Sequence, residues 1–240
     1  MQTTTIIPIN LQIANAYIVR GKQTIIVDTG GAGKTDTILQ VLKKHDIAAK
    51  DISLILHTHG HTDHCGSTKE LQEHIQAPTT VHHLDADMAR SGRNDPLVPT
   101  SLEARLIRPF VNQPVPGFEP DVFIDREMSL HEYGVAAKIL LTPGHTPGSI
   151  TLLTDDGKAI VGDLLMGGML GGTLFPHQPK YHYFADDLAQ VQSSLAEVLA
   201  HQPLDIYVGH GGPLTISAIY KRFAKDKMFD ANRPLRDRVQ

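Results

Sequence analysis

Ile52-Ser53-Leu54-Ile55-Leu56-His57-Thr58-His59-Gly60-His61-Thr62-Asp63-His64 runs from a largely apolar segment straight into four imidazoles and a carboxylate. The first five residues read as a short buried strand. Imidazoles crowded this closely depress one another's protonation, and a buried carboxylate is costly on its own. A divalent cation reverses both penalties by taking the lone pairs directly. The stretch therefore points to bound metal. His59, His61, Asp63 and His64 follow no single helical face, so a turning loop between a strand and a helix is needed to gather them. Ser67 and Glu70, three residues apart ahead of Leu71 and Ile75, carry a capping-box signature for that helix.

Upstream, apolar runs at Ile6 to Ile9, Ala16 to Val19 and Thr24 to Val27 predict a three-stranded meander ending at Asp28. Ile38, Leu39, Val41 and Leu42 then recur at helical spacing between Thr35 and Asp46. Downstream, Thr79 to His83 predicts a strand and Leu84 to Ser91 a short helix. Between Gly92 and Pro120 periodicity fades while Pro96, Pro99, Pro109, Pro114, Pro116 and Pro120 accumulate, which predicts a long irregular surface segment and a candidate lid. Strands resume at Val122 to Ile124, Val135 to Leu141, Ile150 to Leu153 and Ala159 to Val161. A patterned helix follows from Asp186 to about Ala200, then a strand from Asp205 to Val208 and a helix from Ile216 to Phe229 ahead of a polar tail.

At 240 residues with 41% hydrophobic content, the chain can build a substantial core. Lys and Arg number 22 against 26 Asp and Glu, so nothing calls for a polyanionic partner and nucleic acid is disfavoured. The single cysteine, Cys65, cannot form an internal disulfide, and Met1-Gln2-Thr3-Thr4-Thr5 lacks the pattern of a secretion signal. No apolar run approaches the roughly 20 residues that cross a bilayer. A soluble cytoplasmic protein with no membrane partner is expected, acting on a small-molecule substrate, with its oligomeric state open.

Fourteen histidines are many for this length, and the excess sits in motifs. Three further motifs each put one potential ligand after an expected strand and beside glycine, where the backbone can turn and approach closely. They are Pro143-Gly144-His145-Thr146-Pro147-Gly148-Ser149, Val161-Gly162-Asp163 and Val208-Gly209-His210-Gly211-Gly212. With His59, His61, Asp63 and His64 the inventory is five imidazoles and two carboxylates, enough for two metal ions sharing a carboxylate and a water. In this order, over nearly the whole chain, the pattern resembles that of the metallo-β-lactamase-fold hydrolases. Asp28 in Val27-Asp28-Thr29-Gly30 matches their early Asp-x-Gly element.

The resemblance implies an α/β fold, a four-layer αββα sandwich forming one domain over residues 1–240, with metals in a cleft at one edge of two sheets. The segment from about 92 to 120 is then a lid or substrate wall. The resemblance further implies His59, His61 and His145 as ligands of a first metal, Asp63, His64 and His210 of a second, Asp163 as the bridge, and Asp28 as the group orienting a ligand imidazole. Zinc is the expected metal, and iron or manganese suit the same donors. His57 is expected to be buried or to stand behind the ligands, His82 and His83 to pack at a strand end, and Cys65 to act as a small buried apolar residue. His177 and His182 are candidates for the pocket mouth. Gly31-Ala32-Gly33-Lys34-Thr35 looks like the end of a phosphate-binding loop, but the glycine required five places before Gly33 is Asp28, so a nucleotide-binding reading fails. The glycines instead form the turn that brings Asp28 to the cleft.

Two cations flanking a water make hydroxide available near neutral pH, polarise a scissile carbonyl or phosphoryl oxygen and stabilise the charge that develops, so a hydrolase is expected. Asp63 is a candidate proton relay as well as a ligand. Tyr181 and Tyr183 are candidate phenolic donors to an oxyanion, with ordinary packing as the alternative. Within the resemblance, a true β-lactamase is disfavoured because the best-known group has cysteine at the Asp163 position. The nucleases carry extra domains and basic surfaces, and flavodiiron proteins have glutamate at the His61 position. Only 30 residues follow His210, too few for the helical domain with which glyoxalase II-like thioesterases grip glutathione. The expected reaction is hydrolysis of a small ester-like bond, thioester or lactone first and phosphodiester next. The alternatives are a mononuclear iron-dependent dioxygenase acting on a sulfur substrate and a non-catalytic metal-binding module. A closed four-ligand site would favour the module, whereas seven ligands for two ions leave room for water.

Overall fold

The computed structural model describes residues 3–94 and 96–223. The expected helical stretch beyond Phe223 and the polar tail lie outside the described residues. Two sheets organise the chain. β1 (Thr5–Asn10), β2 (Asn15–Arg20), β3 (Thr24–Val27), β4 (Ile52–Leu56), β5 (Thr79–His82) and β6 (Val122–Ile124) form a six-stranded sheet in that order. The first three strands are antiparallel and β3 to β6 run parallel. The second sheet contains β7 (Met128–Ser129), β8 (Ala137–Leu141), β9 (Ile150–Thr154) and β10 (Lys158–Ile160). After a separate hairpin of β11 (Met166–Met169) and β12 (Leu174–Lys180), β13 (Asp205–Tyr207) joins the free edge of β10 in parallel.

Side-chain alternation decides what each sheet face covers. Val19, Ile25 and Leu54 of the first sheet point at Ile139, Ile150, Leu152 and Ile160 of the second, making the central core. Their neighbours Ile18, Ile26 and Ile55 point outward onto Ile38 and Leu42 of α1 (Thr35–Lys44) and Leu71 of α3 (Thr68–Leu71). On the far side, Leu140, Leu153 and Ala159 meet Val191, Leu195 and Val198 of α6 (Leu188–Ala200) and Ile219 and Phe223 of α7 (Ile216–Phe223). The order of layers is therefore α, β, β, α, as expected. Burying one of these aliphatic side chains contributes about 1.5–3 kcal/mol, so the three cores dominate the stability. The Asp187 carboxylate caps α6 by accepting hydrogen bonds from the backbone of Ala189 and Gln190 at 2.9 and 3.0 Å.

After α4 (Ala86–Ser91), the expected irregular stretch from about 92 to 120 needs correction: α5 (Leu102–Val111) occupies its middle. Ser101 caps α5 through its hydroxyl, which accepts from Ala104 N at 3.1 Å. Pro109 sits near the C-terminal end, where only the last residues of the helix feel the lost hydrogen bond. The capping box at Ser67 and Glu70 is not made. The Ser67 hydroxyl instead donates to Gly31 O and accepts from Lys34 N, while Glu70 accepts from the Thr35 hydroxyl, so both side chains tie α3 to the loop before α1. Among the described residues no helix is long and apolar enough to cross a membrane.

Candidate metal centre

Register puts the candidate ligands at one edge of the sandwich. Val27 pairs with Leu56 and Ile160 with Tyr207, so the chain leaves β3 at Asp28, β4 at His57, β10 ahead of Asp163 and β13 ahead of His210, all in the same direction. Ligands commonly collect outside the carboxyl ends of parallel strands. The loop after β4 carries His59 and His61, and the single turn α2 (Thr62–Cys65) carries Asp63 and His64, so helix geometry orients the last two rather than the loop alone. His145 lies in the connection from β8 to β9. Ile150 N donates to Thr58 O at 2.8 Å and joins that connection to the β4 loop.

All seven candidates come together. His59 Nε2, His61 Nδ1 and His145 Nε2 stand 2.9–3.2 Å from one another. His210 Nε2 lies 3.4 Å from both His64 Nε2 and Asp63 Oδ2. Asp163 stands between the two groups: Oδ1 is 3.4 Å from His64 Nε2, and Oδ2 is 3.5 Å from His145 Nε2 and 3.2 Å from His210 Nε2. Donors that share one tetrahedral ion at about 2.0–2.1 Å are separated by roughly 3.3 Å, close to these distances.

The protons on the imidazoles are assigned from their partners. Asp28 Oδ2 accepts from both the Thr58 hydroxyl and His64 Nδ1 at 2.8 Å, which leaves Thr58 Oγ1 to accept from His59 Nδ1 at 3.1 Å. His145 Nδ1 donates to Phe184 O at 2.8 Å and His210 Nδ1 to Ile13 O at 2.7 Å. With these four Nδ1 protons used outward, four Nε2 lone pairs face inward at mutual distances where they repel unless a cation lies between them. Asp163 Oδ1 is buried and has no well-directed hydrogen-bond donor among the described residues. The donor set therefore fits divalent metal binding.

Electrostatics agree. Burial, reinforced by neighbouring imidazoles, holds His59 well below the ordinary imidazole value, and it lowers His61 to about 4 and His145 to about 3. Burial opposes protonation of His64 and His210 too, but the adjacent carboxylates raise both, most of all Asp163. Burial alone would raise Asp63 and Asp163, yet the surrounding imidazoles hold Asp63 below and Asp163 well below the carboxylate range. The charges that draw a proton onto His64 would equally draw a metal ion in its place, with release of that proton.

Two supporting residues, Asp85 and Asn94, escaped the sequence reading, and a third was read only as a pocket-mouth residue. Asp85 is buried, and its carboxylate accepts from Gly60 N, Gly148 N and the Thr146 hydroxyl at 2.7–2.9 Å, pinning both ligand loops. Gly148 has to be glycine here, because a Cβ would enter the space of the Asp85 carboxylate. Asn94 accepts from Thr62 N at 2.7 Å and donates to the Thr62 hydroxyl, which fixes the start of α2. His182, placed by the sequence at the pocket mouth, goes deeper. Its Nε2 is 3.3 Å from Asp163 Oδ2, and its ring stacks on His210 at 5.1 Å. A lone Asp, Asn or His gives no pattern to read.

Alternation along Tyr181-His182-Tyr183 explains why the histidine, and not the tyrosines, faces the cluster. Tyr181 packs against the outer core and the Phe223 ring. Tyr183 lines the cavity, but its hydroxyl is engaged by Leu170 N at 3.3 Å and by Glu103. His177 lies at the surface, with Nδ1 3.0 Å from Pro213 O. His57 is fully buried behind the ligands, donating to Thr80 O and accepting from the Thr68 hydroxyl. His82 and His83 stack at the end of β5. Cys65 is buried, and burial pushes its thiol up. Asp28 takes a left-handed backbone, φ 62°, in the turn that brings it to His64. Gly209 lies flat against the cluster, where a Cβ would collide with Asp163 Oδ1 and His64 Cε1.

Comparison with known proteins agrees with this geometry. A family model described as the metallo-beta-lactamase superfamily matches residues 9–210. A probable metallo-hydrolase of Methanocaldococcus jannaschii is 28% identical over 202 residues, covering 82% of this chain and 87% of the relative. The hydroxyacylglutathione hydrolase GloC of Haemophilus influenzae is 29% identical over 199 residues, covering 81% and 83%. Among solved structures, the di-iron-bound form of TTHA1623 superposes with a TM-score of 0.64 at 24% identity, covering 92% of this chain and 97% of that one. The BLEG-1 B3 metallo-beta-lactamase superposes at 0.65 with 21% identity, covering 91% and 97%.

Proposed function

Because the chain belongs to the metallo-beta-lactamase superfamily, we propose that it is a metal-dependent hydrolase of a small ester-like bond, thioester or lactone first and phosphodiester next. The observation that carries this reading is the sharing of Asp163 by two groups of inward-facing donors beside an open cavity. His59, His61 and His145 would hold one divalent cation and Asp63, His64 and His210 the other. Zinc is the proposed metal, while the donor types also suit iron or manganese. When bound, such a pair acidifies a water and polarises a carbonyl or phosphoryl oxygen.

The chain's own residues do the rest. Asp28 fixes the tautomer and direction of His64, and Asp85 holds the two ligand loops at a set spacing. Asp63 lines the cavity with its side chain 38% exposed, whereas Asp163 is shut in at 1%, so Asp63 is the carboxylate able to take a proton from the attacking water and return it to the leaving group. Met166 and Phe184, both buried, keep bulk water off that end of the cavity.

The test is metal analysis of protein purified without added metal, coupled to turnover of a thioester, a lactone, a phosphodiester and a β-lactam. Two metals per chain with hydrolysis are expected. One iron with oxygen uptake would favour a sulfur dioxygenase, and metal without turnover a binding module; either replaces this reading.

A further inference from the structure

The cluster opens into a cavity of about 410 Å³ whose chemistry is divided. Polar groups gather at the metal end. The apolar part of the lining comes from Leu97, from Ile107, Phe110 and Val111 of α5, and from Leu170. No lysine or arginine stands among the described lining residues, and the one charged side chain away from the ligands is the carboxylate of Glu103. Several apolar lining residues are also left open to water at the rim: Phe110 is 80% exposed, Leu170 63% and Ile13 60%. Apolar side chains around a concave site mark a surface that a ligand covers.

We infer, resting on the hydrolase reading above, that the cavity selects uncharged esters or lactones bearing a hydrocarbon chain. The ester meets the ligand cluster, and the chain lies along Leu97, Ile107 and Phe110. A substrate carrying carboxylates, such as a glutathione thioester, would bring negative charge beside the exposed Glu103 carboxylate, away from the ligands, where no described lining residue is a lysine or arginine and like charges repel. Each methylene moved from water onto the apolar wall is favoured about threefold to fourfold. In the reaction water adds to the acyl carbon and the bond from that carbon to the alkoxy oxygen breaks. The alkoxy oxygen takes the proton, and a carboxylic acid and an alcohol result, joined as one hydroxy acid when the substrate is a lactone.

The metal-loaded full chain is assayed on γ-butyrolactone, γ-hexalactone, γ-octalactone and γ-decalactone, with S-lactoylglutathione and bis(p-nitrophenyl) phosphate as anionic arms. The expected result is a kcat/KM that rises about threefold to fourfold per methylene until the wall is covered, and a preference for γ-decalactone over either anion. Ile107→Lys should flatten the chain-length dependence and shift preference toward the anions; if that variant does not fold, Phe110→Lys at the exposed rim is read instead. A flat or falling series, or faster cleavage of an anion, overturns the inference and leaves the hydrolase reading intact. If no arm is cleaved, the hydrolase reading fails, and calorimetric titration of 2-hexylcyclopentanone, 2-methylcyclopentanone and S-hexylglutathione decides the cavity separately. Tightest binding by the hexyl ketone supports the inference, and any other order overturns it.

Discussion

Asp28 Oδ2 lies 2.8 Å from His64 Nδ1, and this buried contact makes Nδ1 the proton-bearing nitrogen and turns the Nε2 lone pair into the cluster. Asp28→Asn keeps the shape, and asparagine tolerates the left-handed backbone at this position. It loses one acceptor, however. Metal affinity is expected to fall about 10–100-fold, read by competition with a chromophoric chelator. Unchanged affinity would show that His64 needs no such partner.

Asp85 makes a second test, because it holds loops rather than a ligand. In Asp85→Asn one amide group replaces an acceptor and orphans at least one buried donor, at a cost of about 1–3 kcal/mol. For a chain of this length that corresponds to a melting temperature lower by on the order of 2–12 °C. Turnover should fall with it, since both ligand loops lose their spacing. A melt superimposable on that of the unaltered protein would remove Asp85 from this role.

His182 and its tyrosine neighbours separate cleanly. Tyr181→Phe and Tyr183→Phe are expected to keep kcat within roughly threefold, because the Tyr181 ring packs on the outer core and the Tyr183 hydroxyl is engaged by Leu170 N, while His182→Phe should lower it about 10–100-fold through loss of its contact with Asp163. Steady-state kinetics of the three variants at equal metal content gives the answer. A Tyr183→Phe defect as large as that of His182→Phe would restore the phenol as a candidate donor.

Acid should weaken the metal-free protein. Unfolded imidazoles take up protons near pH 6.5, whereas burial delays folded His61 to about pH 4 and folded His145 and His182 to about pH 3. Between those limits the unfolded chain binds more protons, so stability drops as pH falls, by up to about 1.4 kcal/mol per pH unit for each group. His64 and His210, raised by their carboxylates, are protonated in both states below pH 6.5 and add no slope there. Asp85, and Asp186, which burial raises to about 6, take up protons in the folded state first and oppose the trend, but they are two groups against three. Urea melts of chelator-treated protein at pH 6.5, 5.5 and 4.5 test the sign, and a rising midpoint on acidification would refute it.

Ligands drawn from both sheets also couple metal to folding. Zinc added at about 100 times its dissociation constant should stabilise the protein by about 2.7 kcal/mol, seen as a higher melting temperature that chelator reverses. No shift on addition would mean that the donors do not bind it.

Much of this was legible in the sequence, for identifiable reasons. Ile18 and Ile26 alternate with Val19 and Ile25, and α6 carries a regular apolar face, so those elements and their layers follow from period alone. The ligand motifs were legible because imidazoles at short spacing are chemically unusual. α5 was not, because Leu102, Leu106 and Phe110 face outward at 73%, 69% and 80% exposure and their periodicity is masked by prolines on either side. The hairpin of β11 and β12 hides in Met166-Gly167-Gly168-Met169 and in a second strand interrupted by Pro176 and Pro179. Asp85 and Asn94 act through contacts with residues far away in the chain, which no local pattern encodes, and His182 was legible as a residue of the pocket mouth but not as a neighbour of Asp163.

Gly209 sets the clearance of the whole assembly. Its lone hydrogen is all that fits between the backbone of one loop and two side chains from others, so adding a single methyl group would force one of them aside. A library randomised at this codon and selected for zinc retention should return glycine, whereas exposed codons on α5 should return a wide assortment.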